Sequence, residues 1–128
     1  MSLSRLTAVD PRHIHMVIDD RHLERMTLGD TSLEREVLEI FARQVVLLLP
    51  RVAGGEPAVA AAAAHTLKGS ARGIGAWRVA DAAERVEETV AKDAGAAAFR
   101  ACVAELDAAG REACAAIAAR LGVSSAVN

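Results

Sequence analysis

At 128 residues the chain is the size of one domain that folds around a single core without metals or disulfides. Its hydrophobic content is 52% but its aromatic content only 2%, carried by Phe41, Trp77 and Phe99, and alanine is abundant; this balance favours close-packed helices and excludes a strand-rich fold. A formal net charge of -2 gives no general attraction to nucleic acid or to an anionic membrane, so any anion site has to be local.

Residues 1–17 read as a lead-in segment. No continuous apolar h-region stands there, and every apolar run in the chain is too short or too interrupted by charge to span a bilayer; a cytoplasmic protein is expected. Within this segment His13 and His15 have a spacing that suits a metal, but no third ligand accompanies them, so no metal site is expected. Ile14, Val17 and Ile18 can pack against a bundle. A short helix is expected over Asp20–Thr27, with His22 on its exposed face. Thr27-Leu28-Gly29-Asp30 reads as a turn, and Thr31 with Glu34 three residues on reads as a capping box opening the second helix.

That helix carries Val37, Leu38, Phe41, Val45, Leu48 and Val52 at three- and four-residue spacing, one apolar stripe, and Pro50 should kink or end it. Gly54-Gly55 marks the break. Pro57 suits the first turn of a third helix that runs through an alanine tract to about Arg72, closed by Gly73 and Gly75. A fourth helix starts near Ala76, with Trp77 capping one end of the core and Val79, Ala83, Val86 and Val90 on its stripe, and stops around Asp93–Gly95. The last repeats the pattern with Phe99, Val103, Leu106, Gly110, Ala113, Ile117 and Leu121. Short loops favour antiparallel neighbours, so the expected fold is all-α: an up-down four-helix bundle over residues 18–122 with a short extra N-terminal helix and a tail at 123–128. Cys102 and Cys114 fall on one helix, about 18 Å apart at 1.5 Å per residue, too far for a disulfide; they read as small half-buried side chains of a reducing compartment.

The segment His65-Thr66-Leu67-Lys68-Gly69-Ser70 is the most informative. At about 100° per residue, with His65 at zero, Ala63, Leu67, Ser70 and Ile74 fall between about 140° and 200° and form the buried side, whereas Ala61, Lys68, Gly69 and Arg72 lie within about 60° of His65. The histidine should therefore face solvent. An exposed imidazole with an ordinary pKa of roughly 6.5 is substantially neutral near pH 7 and is a competent nucleophile. Lys68 and Arg72 supply positive charge beside it. Gly69, with Ala58, Ala61 and Ala62, leaves its flanks nearly bare, so that a rigid partner can approach.

These residues, with Gly75-Ala76 at the end of the stretch, resemble the signature of the histidine-containing phosphotransfer (HPt) family. The resemblance extends upstream to Leu28-Gly29-Asp30 and Leu38–Phe41 and downstream to Val79–Glu87, covering about residues 18 to 92. It implies that His65 carries a phosphoryl group, that Lys68 stabilises the phosphorylated form, that Gly69 admits the partner and that Glu87 orients the imidazole. Ala61, Ala62, Gly69 and Arg72 would then lie in the partner interface. The implied partners are response-regulator receiver domains and a hybrid sensor histidine kinase. The chain would need no cofactor of its own, with Mg²⁺ on the receiver, and would be a carrier and not a kinase, there being no Walker-type loop. A self-sufficient bundle with no long apolar seam left over makes a monomer the expectation. Two other readings compete. The dimerisation core of a sensor kinase usually follows its histidine with an acidic residue, where Thr66 stands here. A helical adaptor that binds a receiver without being phosphorylated differs only in the chemistry of His65.

Overall fold

The computed structural model describes residues 17–122. The pair His13 and His15, Ile14, and the tail at 123–128 lie outside the described residues. Five helices are present among those described: α1 (Asp20–Thr27), α2 (Thr31–Ala53), α3 (Pro57–Ile74), α4 (Trp77–Lys92) and α5 (Ala96–Leu121). Helix α2 packs on α3, α3 on α4 and α4 on α5, and α5 returns to α2, so the four long helices close a ring around one core while α1 lies across α2 and α3. The connections Gly54–Glu56, Gly75-Ala76 and Asp93–Gly95 are too short for anything but a reversal, which makes consecutive helices antiparallel.

The core follows the stripes. Leu38, Phe41, Val45, Leu49 and Val52 from α2, Leu67 and Ile74 from α3, Val79 and Val86 from α4, and Leu106 and Ile117 from α5 are all buried. Fully burying each such side chain stabilises the fold by about 1.5–3 kcal/mol. On the stripes, Leu49 takes the buried place expected of Leu48, while Leu48, Phe99, Val103 and Leu121 are half-buried against the cluster. The facing sides of α3 and α4 are lined by alanines (Ala60, Ala64, Ala71, Ala80, Ala83), all buried, which lets the two backbones come close. That close approach is what brings a side chain of α4 within reach of His65.

Several boundaries differ from the sequence expectation, each for a local reason. Asp30, not Thr31, caps α2: its carboxylate accepts a hydrogen bond from the Leu33 N–H at 3.1 Å, and Thr31 is the first helical residue. Asp is the stronger cap and its charge suits the positive end of the helix, so the capping box is set aside. Asp30→Ala should destabilise the bundle by about 1 kcal/mol, read as a lower urea midpoint at unchanged m-value. Pro50 does not end α2, which continues to Ala53. Both Pro50 and Val46, whose carbonyl Pro50 leaves without its intrahelical donor, are exposed. Helix α3 runs through Gly73 to Ile74, and Gly75 alone forms the left-handed cap, at φ 84°.

His22 is half-buried, not on an exposed face: its Nε2 is 2.8 Å from the Arg72 carbonyl, and its ring meets Trp77 edge-on with centroids 4.8 Å apart. The carboxylate of Asp19 accepts from Trp77 Nε1 at 2.8 Å, and the Asp19 N–H donates to the Gly75 carbonyl at 2.9 Å. The entry to α1 is thereby fastened to the turn between α3 and α4. Cys102 and Cys114 are free and half-buried on α5, and burial raises the pKa of the Cys114 thiol.

Candidate functional site

His65 sits in the middle of α3 with its side chain 71% exposed, while Ala63, Leu67 and Ile74 on the opposite side are buried. The antiparallel hairpin sets the level of its neighbour. His65 stands ten residues before Gly75 and Glu87 eleven after Ala76, so the two meet across the alanine-lined contact. His65 Nδ1 is 2.8 Å from Glu87 Oε2. A carboxylate only accepts, so Nδ1 carries the proton in this pair and, in the neutral ring, Nε2 keeps the lone pair.

Lys68, one turn on from His65, brings its Nζ to 2.6 Å from Glu87 Oε1 and is only 18% exposed. Oε1 is buried, and at this distance the ammonium makes a charge-assisted contact with it. Glu87 thus divides its two oxygens between the imidazole and the ammonium. Partial burial raises its pKa, but Lys68 and His65 together outweigh burial and hold the carboxyl below its ordinary value of 4.5.

A carboxyl with a depressed folded-state pKa contributes stability that is present above its unfolded pKa and is lost as pH falls through the folded one. Asp19, lowered from 3.8 by the hydrogen bond from Trp77 and by that from the His22 N–H, acts in the same direction. The bundle should lose stability on acidification below about pH 4.5. Glu87→Gln should remove the Glu87 share, no more than about 1 kcal/mol at this partly exposed site, so the variant's urea midpoint falls less than the wild type's between pH 6 and pH 3.

Among the other candidates, Gly69 and Ala62 are exposed beside His65, and a Cβ added at Gly69 would meet nothing within 4 Å. Ala61 is half-buried on the side toward α4. Arg72 is exposed, but its guanidinium is directed to Glu84, Nη2 to Oε1 at 3.2 Å, so it is not a free charge beside the imidazole. The sequence reading did not anticipate that Lys68 is engaged by Glu87. Other ion pairs tie neighbouring helices away from the site: Arg78 with Glu112 and Arg85 with Glu105 between α4 and α5, and Arg120 with Asp20 and Glu34 at the opposite corner. Among the described residues no group of three or more His, Cys, Asp or Glu side chains is placed to hold a metal, and no helix is long and apolar enough to cross a membrane.

The ring of helices and the solvent-facing histidine define a histidine-bearing helical bundle. The family model for the Hpt domain matches residues 32–120, and the chain belongs to the Hpt domain family. Members are phosphocarriers that act in phosphorelays with receiver domains, without an ATP site of their own. No curated protein and no solved structure matches the chain.

Proposed function

We propose that the module spanning residues 18–122 carries a phosphoryl group on His65 Nε2 between receiver-domain aspartates, one of them supplied by a hybrid sensor kinase. The observation that supports this reading is the division of the His65 ring: Nδ1 is held by Glu87 at 2.8 Å, and the side chain is otherwise 71% exposed. In the forward step the Nε2 lone pair attacks phosphorus. The bond from phosphorus to the aspartyl oxygen breaks, and the aspartate leaves as a carboxylate, whose charge a Mg²⁺ on the receiver would neutralise. The Nδ1 proton stays in place, held by Glu87. The return step reverses this with a second receiver. Positioning and charge account for nearly all the help the bundle gives.

The receiver's approach is framed on the α2 side of His65. Ile40 and Leu47, seven residues apart on α2, and Val59 on α3 are exposed apolar side chains. Between the two helices lies a shallow depression of about 350 Å³ lined by Leu48, Arg51, Val59, Ala62 and Thr66. Ala62 and Thr66 border His65, so an apolar rim and the nucleophile share one face. Gly69 leaves the space over the ring open.

The test is transfer from a panel of Mg²⁺-loaded, phosphorylated receiver domains, followed by mapping of an acid-labile, base-stable phosphoryl group. Label on His65 at Nε2 is the expected result; label on another residue, or none from any receiver that binds, would overturn the assignment. Glu87→Ala removes one charge-assisted hydrogen bond to the ring, about 1.5 kcal/mol, and should slow transfer by about tenfold while the bundle stays folded. Unchanged single-turnover kinetics would count against a role for Glu87.

A further inference from the structure

Between α2 and α5 the bundle leaves a groove of about 590 Å³, whose walls include Val46, Pro50 and Ala53 of α2 and Cys114 and Ala118 of α5. Val46 stands 68% exposed there. An apolar strip of this kind is unfavourable in water and marks a contact surface. Because the helices close a ring in the order α2, α3, α4, α5, the groove lies across the bundle from the α3–α4 pair that carries His65 and Glu87.

Two charged side chains line the same groove, Asp107 and Arg111, joined along α5 with Arg111 Nε 2.8 Å from Asp107 Oδ2. Their height against α2 is fixed by Gly110. A Cβ there would lie 3.1 Å from Leu49 and 3.2 Å from Val45, so Gly110 is level with the midpoint of those two, and the antiparallel count puts Ala109 level with Leu48. The contact of Cys114 Sγ with the Ala42 carbonyl at 3.9 Å agrees with that register. Ala109 is the midpoint of Asp107 and Arg111, and Leu48 is the midpoint of Val46 and Pro50. The charged pair and the apolar pair are therefore centred at one height on the two helices.

We propose that this face is the contact between two copies of the chain, related by a two-fold axis that lies in the face, perpendicular to the helices, and crosses α2 at Leu48 and α5 at Ala109. Such an axis lays α2 antiparallel on α2 and α5 antiparallel on α5. It sets Val46 of each copy opposite Pro50 of the other and Asp107 of each opposite Arg111 of the other, so the four charges alternate in sign. Arg43, exposed and without an ion pair among the described residues, falls opposite Ala53, at the carbonyl end of the other copy's α2, where a cation is favourable. A two-fold contact has to be self-complementary, and a pattern centred on the axis on both helices meets that requirement. Arg111 gives Asp107 its Nε–H alone, which leaves its terminal donors for the Val46 carbonyl, the acceptor that Pro50 leaves unpaired. The sequence shows no long apolar seam because each helix supplies only half of this one. Both His65 side chains stay outside the contact, which does not depend on what they carry.

Sedimentation equilibrium of the full chain in reducing buffer tests this, the reductant keeping Cys114 from mimicking the contact through a disulfide. The mass should rise from one chain to two with concentration. A single-chain mass up to about 1 mM would overturn the proposal and leave the groove to another occupant. Val46→Glu places a carboxylate at the apolar centre and should weaken the dimer at least about tenfold. Asp107→Arg and Arg111→Asp each bring like charges face to face across the axis, so each alone should be monomeric where the wild type is dimeric. Mixed one to one, the two variants restore the alternation of sign and should form a heterodimer. Circular dichroism checks that each variant keeps its helices. A dimer indifferent to all three substitutions, or charge variants that stay monomeric in the mixture, would overturn the arrangement.

Discussion

His65→Ala is expected to accept no phosphoryl group from any receiver or small donor at this position while remaining folded and able to bind receivers. The side chain is 71% exposed and its one polar contact is with Glu87, which retains Lys68 after the substitution, so stability should change by no more than about 0.5 kcal/mol. Paired with it, Gly69→Leu distinguishes the carrier from the adaptor. A Cβ at Gly69 meets nothing within 4 Å, and leucine is the better helix former by nearly 1 kcal/mol, so the variant should unfold at a higher urea concentration. Yet the added side chain stands about 40° from His65 on the helix and obstructs the approach of a rigid partner, so both binding and transfer should fall by at least about tenfold. A more stable protein that no longer transfers, beside a normally binding protein that cannot be loaded, is the pattern of a docking carrier. Full phosphorelay output from His65→Ala in cells would instead support the adaptor.

The helices were legible because periodicity and end signals agreed. The Gly75-Ala76 turn, Pro57 at the start of α3 and the alternation of buried positions in Leu67–Ile74 follow from spacing and backbone chemistry alone. The cap of α2 lies one residue before the position its spacing suggests, because Asp30 and Thr31 are adjacent cap formers and the choice between them depends on geometry that spacing does not carry. Spacing alone puts His22 on an exposed face, because its partners, the Arg72 carbonyl and Trp77, are brought to it by the α3–α4 turn, fifty residues away in the chain.

The ion pairs show the same limit more finely. Counting outward from the turn, Lys68 at seven residues before Gly75 is level with Glu84 at eight after Ala76, yet Lys68 contacts Glu87 and Arg72 contacts Glu84. Helical side chains lean toward the N-terminus of their own helix, which in α3 is away from the turn and in α4 toward it. Each cation therefore reaches an acid about one turn beyond its own level. The signal was present in the sequence, but only for a reading that included side-chain direction as well as residue level.

Gly75→Ala should cost about 2–4 kcal/mol, and the reason is a collision as much as a backbone preference. At φ 84° the new Cβ would lie 2.9 Å from Asp19 Cβ, 3.1 Å from the Asp19 carbonyl oxygen and 3.3 Å from its nitrogen. Asp19 is poorly able to give way. Its N–H is bound to the Gly75 carbonyl at 2.9 Å, and its carboxylate holds Trp77 Nε1 and the His22 N–H. The strain can be relieved only by lifting the start of the described chain off the turn, which would uncover the buried Ile18 and cost a similar amount. Gly29→Ala is the control: φ is 74° but nothing lies within 4 Å, so it reports the left-handed penalty alone, about 1 kcal/mol. Urea unfolding followed by Trp77 fluorescence measures both. A loss at Gly75 that clearly exceeds the loss at Gly29 shows that the segment before α1 is seated against the turn in solution. Because that turn sets the level of Glu87 against His65, the same variant should also slow phosphoryl transfer, whereas Gly29→Ala should not. Equal losses at the two glycines would mean that Asp19 does not rest on the turn and that α1 is no part of what holds the site in register.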